Sequence, residues 1–241
     1  PVSMALGGKN PAIVFADADL DATLAGLKRS VFENTGQVCL GTERVYVQRP
    51  IHDALVQRLA EVARSLRPGR PDDATANFGP LVSAEHQRKV LGYYELARQE
   101  GGTAVVGGGV PSMPEELRGG SWIEPTVWTG LGHGSRVARE EIFGPCCAVI
   151  PFDTEQEAVA MANDTRYGLA ASVYTTNIDK AHRVAAQLRV GVTWVNCWFV
   201  RDLRTPFGGS GASGIGREGG VHSVEFYTEL SNVCVKYQGQ A

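Results

Sequence analysis

The chain has 241 residues, enough to bury a sizeable core in one large or two small domains, and 43% hydrophobic with 20% charged residues suits an ordinary globular α/β protein. A net charge of −3 and a pI near 6.0 give no electrostatic reason to expect nucleic acid or an anionic membrane as partner. No run reaches the roughly 18–20 apolar residues of a membrane span, and no basic and apolar leader marks a signal peptide, so neither membrane insertion nor secretion is expected.

Residues 12–15 (Ala-Ile-Val-Phe) are a short apolar run, expected to be a buried strand. Asp21 is the expected N-cap of a helix over 22–32, which puts Leu24, Leu27 and Val31 on one face. Residues 44–48 alternate as a strand does, and 53–66 place Leu55, Leu59, Val62 and Leu66 at helical spacing. The Pro-, Gly- and Asp-rich stretch 67–79 is a loop, and Ser83 can cap a helix running to about residue 99 with Val90, Leu91 and Tyr94 inward. A brief strand at 103–106, an exposed connection over 107–120 and a strand at 122–127 follow. Residues 147–152 read as a buried strand, and Thr154-Glu155-Gln156-Glu157 as a capping box opening the next helix. Strands at 171–174 and 192–196 flank a helix over 177–188, glycine is dense from Arg204 onward, and 233–236 closes the chain as a strand. Strands alternating with helices at this spacing predict an α/β fold of parallel β-α-β units with helices on both faces of the sheet.

Between the first helix and the second strand lies Phe32-Glu33-Asn34-Thr35-Gly36-Gln37-Val38-Cys39-Leu40. A Gly-containing turn at a scaffold edge is where binding and catalytic side chains concentrate, and a thiolate is a strong nucleophile when its pKa and access allow. A lone cysteine can equally be a small buried hydrophobe. The five cysteines, Cys39, Cys146, Cys147, Cys197 and Cys234, contain no C-x-x-C pair, so neither a disulfide framework nor a metal site is expected, and a reducing, cytoplasmic compartment is. Cys146 and Cys147 read as packing residues. Taken singly, Leu6-Gly7-Gly8-Lys9-Asn10-Pro11 and Glu141-Ile142-Phe143-Gly144-Pro145 are ambiguous, and the glycines at 211–216 match no phosphate-binding loop.

In combination they carry more. LGGKNP, a GQVC cysteine some thirty residues later, EEIFGP, a WVN strand end and PFGG, in this order, resemble the aldehyde dehydrogenase superfamily over essentially the whole chain. The resemblance implies the catalytic half of a longer polypeptide, consistent with a chain that opens at Pro1 in the midst of motif-like sequence, with the NAD-binding domain largely upstream. Residues 1–212 would be the catalytic domain, 213–230 a return along the cofactor side, and 231–241 an oligomerisation strand shared with a neighbouring subunit in a homodimer or homotetramer. Cys39 would be the nucleophile, passing through a thiohemiacetal and a thioester, with its own N–H helping to stabilise the oxyanion. NAD is the implied cofactor: Glu141 would hold ribose hydroxyls, Phe143 would pack near the nicotinamide, Leu6 and Gly7 would line the same cleft, and Lys89 would reach toward the ribose.

The chain departs from the family pattern at Ala5, where relatives carry the Glu that serves as general base. Alanine accepts no proton, so the step would lose assistance typically worth roughly 10²–10⁴-fold. An engineered trapping variant and a naturally disabled relative both fit. Glu218 resembles a second acidic residue implicated in proton relay in parts of the family, and is the candidate substitute.

The stretch from Asn196 to Gly209 and the ending Gly-Arg-Glu-Gly-Gly-Val-His-Ser look like the muconic semialdehyde dehydrogenases of aromatic ring-cleavage pathways. That similarity implies oxidation of 2-aminomuconate 6-semialdehyde, the favoured form, or of 2-hydroxymuconate semialdehyde. Arg201 would bind the substrate carboxylate bidentately, with Arg204 as the alternative, while Trp198, Phe199 and Phe207 would flank the conjugated chain. Rival readings are a CoA-acylating relative, a cofactor-binding protein without catalysis, and a Cys-His hydrolase, for which the five histidines form no recognisable motif.

Overall fold

The computed structural model describes residues 2–237 and residue 239. Its chain order begins with β1 (Met4–Ala5), β2 (Asn10–Val14), α1 (Leu20–Phe32), β3 (Thr42–Gln48), α2 (His52–Arg64) and α3 (Ala84–Gln99). Then come β4 (Thr103–Val106), β5 (Thr126–Thr129), α4 (Arg136–Arg139), β6 (Cys146–Phe152) and α5 (Glu155–Asn163). The last part holds β7 (Tyr167–Gly168), β8 (Ala170–Tyr174), α6 (Ile178–Ala185), β9 (Val192–Val195), β10 (Ser210–Gly211), β11 (Gly214–Ile215) and α7 (Gly220–Tyr227).

A seven-stranded sheet in the order β4-β5-β6-β3-β2-β8-β9 forms the centre. Every neighbouring pair is parallel except β4–β5. Its strands are buried on both faces, as parallel strands under crossover helices must be. Ile13, Tyr46, Ala148, Ile150 and Val173 face α3, α5 and α6 through Val90, Tyr94, Ala158 and Val184. Their alternates Ala12, Val14, Val45, Val47 and Val149 face α1 and α2 through Leu24, Leu27, Leu55 and Leu59. The apolar periods in the sequence are these two faces. Cys146 and Cys147 are buried in β6, one on each side.

Several boundaries differ from expectation for local reasons. Helix α1 is capped by Asp19, whose Oδ1 accepts the N–H groups of Asp21 (3.0 Å) and Ala22 (3.1 Å). Asp21 thus sits in the first turn, where a carboxylate meets the positive end of the helix. The strand expected over 122–127 pairs only from Thr126, because Pro125 has no N–H to give a ladder and the Glu124 N–H is spent on the Gly109 carbonyl (2.9 Å). Thr154 caps α5 through the Glu157 N–H (3.2 Å), yet the Glu157 carboxylate takes the N–H of Asp153 (2.7 Å) rather than that of Thr154, so the box is not reciprocal. Helix α6 stops at Ala185, short of residue 188.

Among the described residues, 231–237 form no strand with any other segment and are exposed. Residues 238, 240 and 241 of that expected element lie outside the described residues. The short β1–β11 and β7–β10 pairs and helix α7 were not foreseen from the sequence. Among the described residues, no helix is long and apolar enough to cross a membrane.

Candidate active site

The nucleophile loop is built on strained backbone. After α1 a tight turn over Glu33–Gly36 puts Asn34 (φ 52°, ψ 35°) and Thr35 (φ 58°, ψ 34°) in the left-handed region. For a β-branched residue that region is a true outlier, costing on the order of 1–3 kcal/mol, and persists only where the surroundings impose it. Here Thr35 Oγ1 donates to Gly79 O (3.0 Å), Asn34 Nδ2 to Gln37 O (2.9 Å), and Val82 N to Gln37 Oε1 (2.9 Å). Gly36 (φ 69°) lies against the Gly144 carbonyl, where any Cβ would collide. The turn closes with Gly41 N donating to Val38 O (2.7 Å) and presents Cys39, half-buried, between them.

Burial pushes the Cys39 thiol up, its own N–H and that of Leu40 pull it back toward thiolate, the Glu141 charge raises it and the Arg201 charge lowers it. Among the described residues, neither of those two N–H groups donates to a carbonyl or side-chain oxygen. They are therefore available to an oxyanion forming beside the sulphur.

Cys39 precedes β3, Gly7 and Gly8 precede β2, and Phe143 precedes β6. The cluster therefore gathers at the amino ends of adjacent parallel strands, opposite the carboxyl-end crevice of open doubly wound sheets. Asn10 ties it together. Its Nδ2 donates to Cys39 O and Gly41 O (both 2.8 Å), and its Oδ1 accepts Ala170 N (3.0 Å). Glu141 accepts the Gly8 N–H at 3.0 Å, and a Cβ on Gly7 (φ 89°) would strike its carboxylate. Burial pushes the Glu141 carboxyl up while the Gly8 N–H pulls it down. An acceptor carboxylate beside two glycines whose backbone can be closely approached fits the ribose hydroxyls of a nicotinamide cofactor. Phe143 (φ 62°) is fixed alongside by His86 Nε2 at 2.7 Å from its carbonyl oxygen.

Leu6 is exposed, its N–H donating to Ser213 O (2.9 Å), and Ala5 is exposed in β1, paired with Gly214 of β11. Lys89, on α3, lines a separate surface groove with Tyr93, Glu95 and Arg136, although its charge still lowers the pKa of Glu141.

A cavity of about 650 Å³ opens between Leu40, Thr193, Arg201, Phe207, Glu218 and Ser223. Cys39 does not line it, but the next residue does. The Arg201 guanidinium lies 4.7 Å from the Phe207 ring centroid and 3.6 Å from Glu218 Oε1, so the arginine and the acid singled out in the sequence face one another. Arg204 is spent on Asp202 in an exposed pair. Trp198 does not flank the cavity. It is 4% exposed, packed with Leu40, Leu169, Ala170 and Trp194, and its indole donates to Leu40 O (3.1 Å), so it is a floor beneath the nucleophile loop. Phe199 (φ 60°), 38% exposed, stacks on it at 5.1 Å and, like it, does not line the cavity.

A family model described as "Aldehyde dehydrogenase family" matches residues 1–233. The chain belongs to that family. It is 64% identical over 236 residues to a 2-hydroxymuconic semialdehyde dehydrogenase of Pseudomonas sp. (strain CF600), covering 98% of this chain and 49% of that protein. It is 58% identical over 236 residues to a 2-aminomuconic 6-semialdehyde dehydrogenase of Pseudomonas sp, covering 98% and 48%. Among solved structures, betaine aldehyde dehydrogenase from Staphylococcus aureus in complex with NAD+ superposes with a TM-score of 0.90 at 38% identity, covering 97% of this chain and 48% of that one. The chain spans about half the length of the curated relatives it matches. Within this aldehyde dehydrogenase fold, sequence reasoning passed over Lys9, Asn10, Glu43 and His86. Lys9 and Asn10 lie inside the LGGKNP motif, which does not by itself say what their side chains hold, and the signal at Glu43 and His86 is no more than a polar residue near the start of a strand or helix.

Proposed function

We propose that the chain is the catalytic half of an NAD-dependent dehydrogenase that oxidises a muconic semialdehyde to the dicarboxylate. The observation that carries this reading is the placement of Arg201 in the cavity that Leu40, the residue after Cys39, helps to line, while Glu141 is held by the Gly8 N–H on the adjoining turn. Cys39 attacks the aldehyde carbon, and the N–H groups of Cys39 and Leu40 receive the oxyanion of the thiohemiacetal. When bound, NAD would supply the acceptor for the hydride leaving that carbon, and the chain would hold the acyl group on Cys39 as a thioester. Glu141, Gly7, Leu6 and Phe143 hold the cofactor's nicotinamide ribose end. Arg201 pairs the distal carboxylate, and Phe207 borders the conjugated chain.

Hydrolysis of the thioester needs a base. Ala5 offers none, so acyl-enzyme accumulates, and Glu218, exposed at the cavity, is the acid nearest in role. The 64% against 58% identities favour the 2-hydroxy substrate over the 2-amino form. Val233, Val235 and Tyr237, exposed and, among the described residues, unpaired with any strand, support the addition of residues 231–237 to a neighbouring copy.

The test is Arg201→Ala with Glu at position 5, in the full-length polypeptide, assayed on the two semialdehydes and on a neutral aldehyde. The expected loss in kcat/KM is about 100-fold on the semialdehydes and small on the neutral aldehyde, the scale of one charge-assisted carboxylate contact. Equal losses on both would sink the carboxylate role.

A further inference from the structure

The turn that carries Glu141 and Phe143 is not self-supporting. Phe143 is left-handed at φ 62°, and a non-glycine residue holds that conformation only under outside constraint. The constraint comes from Glu43 in β3. Its Oε1 accepts Phe143 N at 2.7 Å, and its two oxygens accept Ile142 N at 3.2 and 3.0 Å. Glu43 is 6% exposed, and its charge is met by the Lys9 ammonium, itself 1% exposed. Lys9 stands between Gly8, whose N–H holds the Glu141 carboxylate, and Asn10, whose amide holds the carbonyls of Cys39 and Gly41.

We propose that Glu43 is a positioning residue for the cofactor: with Lys9 as counter-ion, it clamps the 142–143 peptides so that Glu141 and Phe143 face the nicotinamide ribose. This rests on the cofactor reading of that turn given above. Only a carboxylate suits the place. Two diverging N–H groups and an ammonium need more acceptor positions than one amide oxygen supplies. Removing the charge would also leave Lys9 buried without a partner.

The test compares the full-length polypeptide with two variants, Glu43→Gln and the charge-neutral pair Lys9→Met with Glu43→Gln. The second keeps the question open should the first fail to fold, since it leaves no uncompensated buried charge. Amide exchange at Ile142 and Phe143 is measured with no cofactor present, and the dissociation constant for NAD by titrating protein fluorescence. Both variants are expected to exchange at these amides, and to release NAD, with constants raised about tenfold or more. Alkylation of Cys39 by iodoacetamide should stay within about threefold, well under the tenfold that 1.4 kcal/mol represents. Parental exchange rates, or faster exchange with parental NAD affinity, would overturn the proposal. So would rapid exchange at Phe143 in the unaltered protein, whatever the variants do. A Glu141→Ala variant that binds NAD as the parent does would instead overturn the cofactor reading of the turn.

Discussion

The Trp198 indole donates to the carbonyl of Leu40 at 3.1 Å, so the loop following β9 supports the peptide that follows the nucleophile. Trp198→Phe keeps most of the apolar contact and loses the hydrogen bond. The expected cost is about 1 kcal/mol, read as a lower urea midpoint with unchanged slope. A parental midpoint would mean that the carbonyl finds water as readily as the indole.

The reactivity of Cys39 should report its charges. Burial lifts its pKa above that of an ordinary thiol, so the rate of iodoacetamide alkylation should still be climbing above about pH 9. Arg201 stabilises the thiolate, so Arg201→Ala should move the midpoint further up. Glu141 destabilises it, so Glu141→Gln should move the midpoint down. The opposite ordering would show that the two side chains do not act on the sulphur.

Asn10 offers a different handle, because one side chain satisfies Cys39 O, Gly41 O and Ala170 N. Asn10→Ala leaves those groups unpaired in a buried place, at about 1–3 kcal/mol for each that water cannot reach. Asn10→Asp should be as damaging, since a carboxylate would face two carbonyl oxygens. Both are checked by denaturant unfolding and by the solubility of the expressed protein.

Restoring the acid at position 5 is the direct probe of turnover. Ala5→Glu is expected to raise steady-state turnover by roughly 10²–10⁴-fold, the range of general-base assistance. It should also remove the acyl adduct seen by intact-mass measurement after mixing with semialdehyde and NAD. Unchanged turnover would show that Glu218 or another group already supplies the base.

The central sheet was legible because its strands are short apolar runs separated by amphipathic helices, a pattern that survives without knowledge of contacts. Ser83, Thr154 and Asn177 cap their helices as their chemistry dictates. At the candidate site, Cys39 and Glu141 stand out in the sequence only through the family motifs that hold them, since each is ambiguous alone. Lys9 and Glu43 stand thirty-four positions apart and look like ordinary solvated charges until the sheet brings them together out of water. The left-handed turn at Asn34 and Thr35 was illegible for a different reason. Threonine resists that conformation, so it exists only because Gly79, Gly144 and Val82 press on it from afar. At Trp198 the resemblance implies a substrate contact, but an aromatic ring serves a buried floor equally well, and only the packing decides between them.

The pairing of Met4 with Ile215 joins the two ends of the described chain across nearly its whole length. During synthesis the segment that leads into Gly7 and Gly8 must wait, unpaired, until the glycine-rich tail has left the ribosome. Contacts this distant in sequence are the slowest to form. Cys39 is therefore translated well before the strand pair that fixes the segment leading into Gly7 and Gly8 can close.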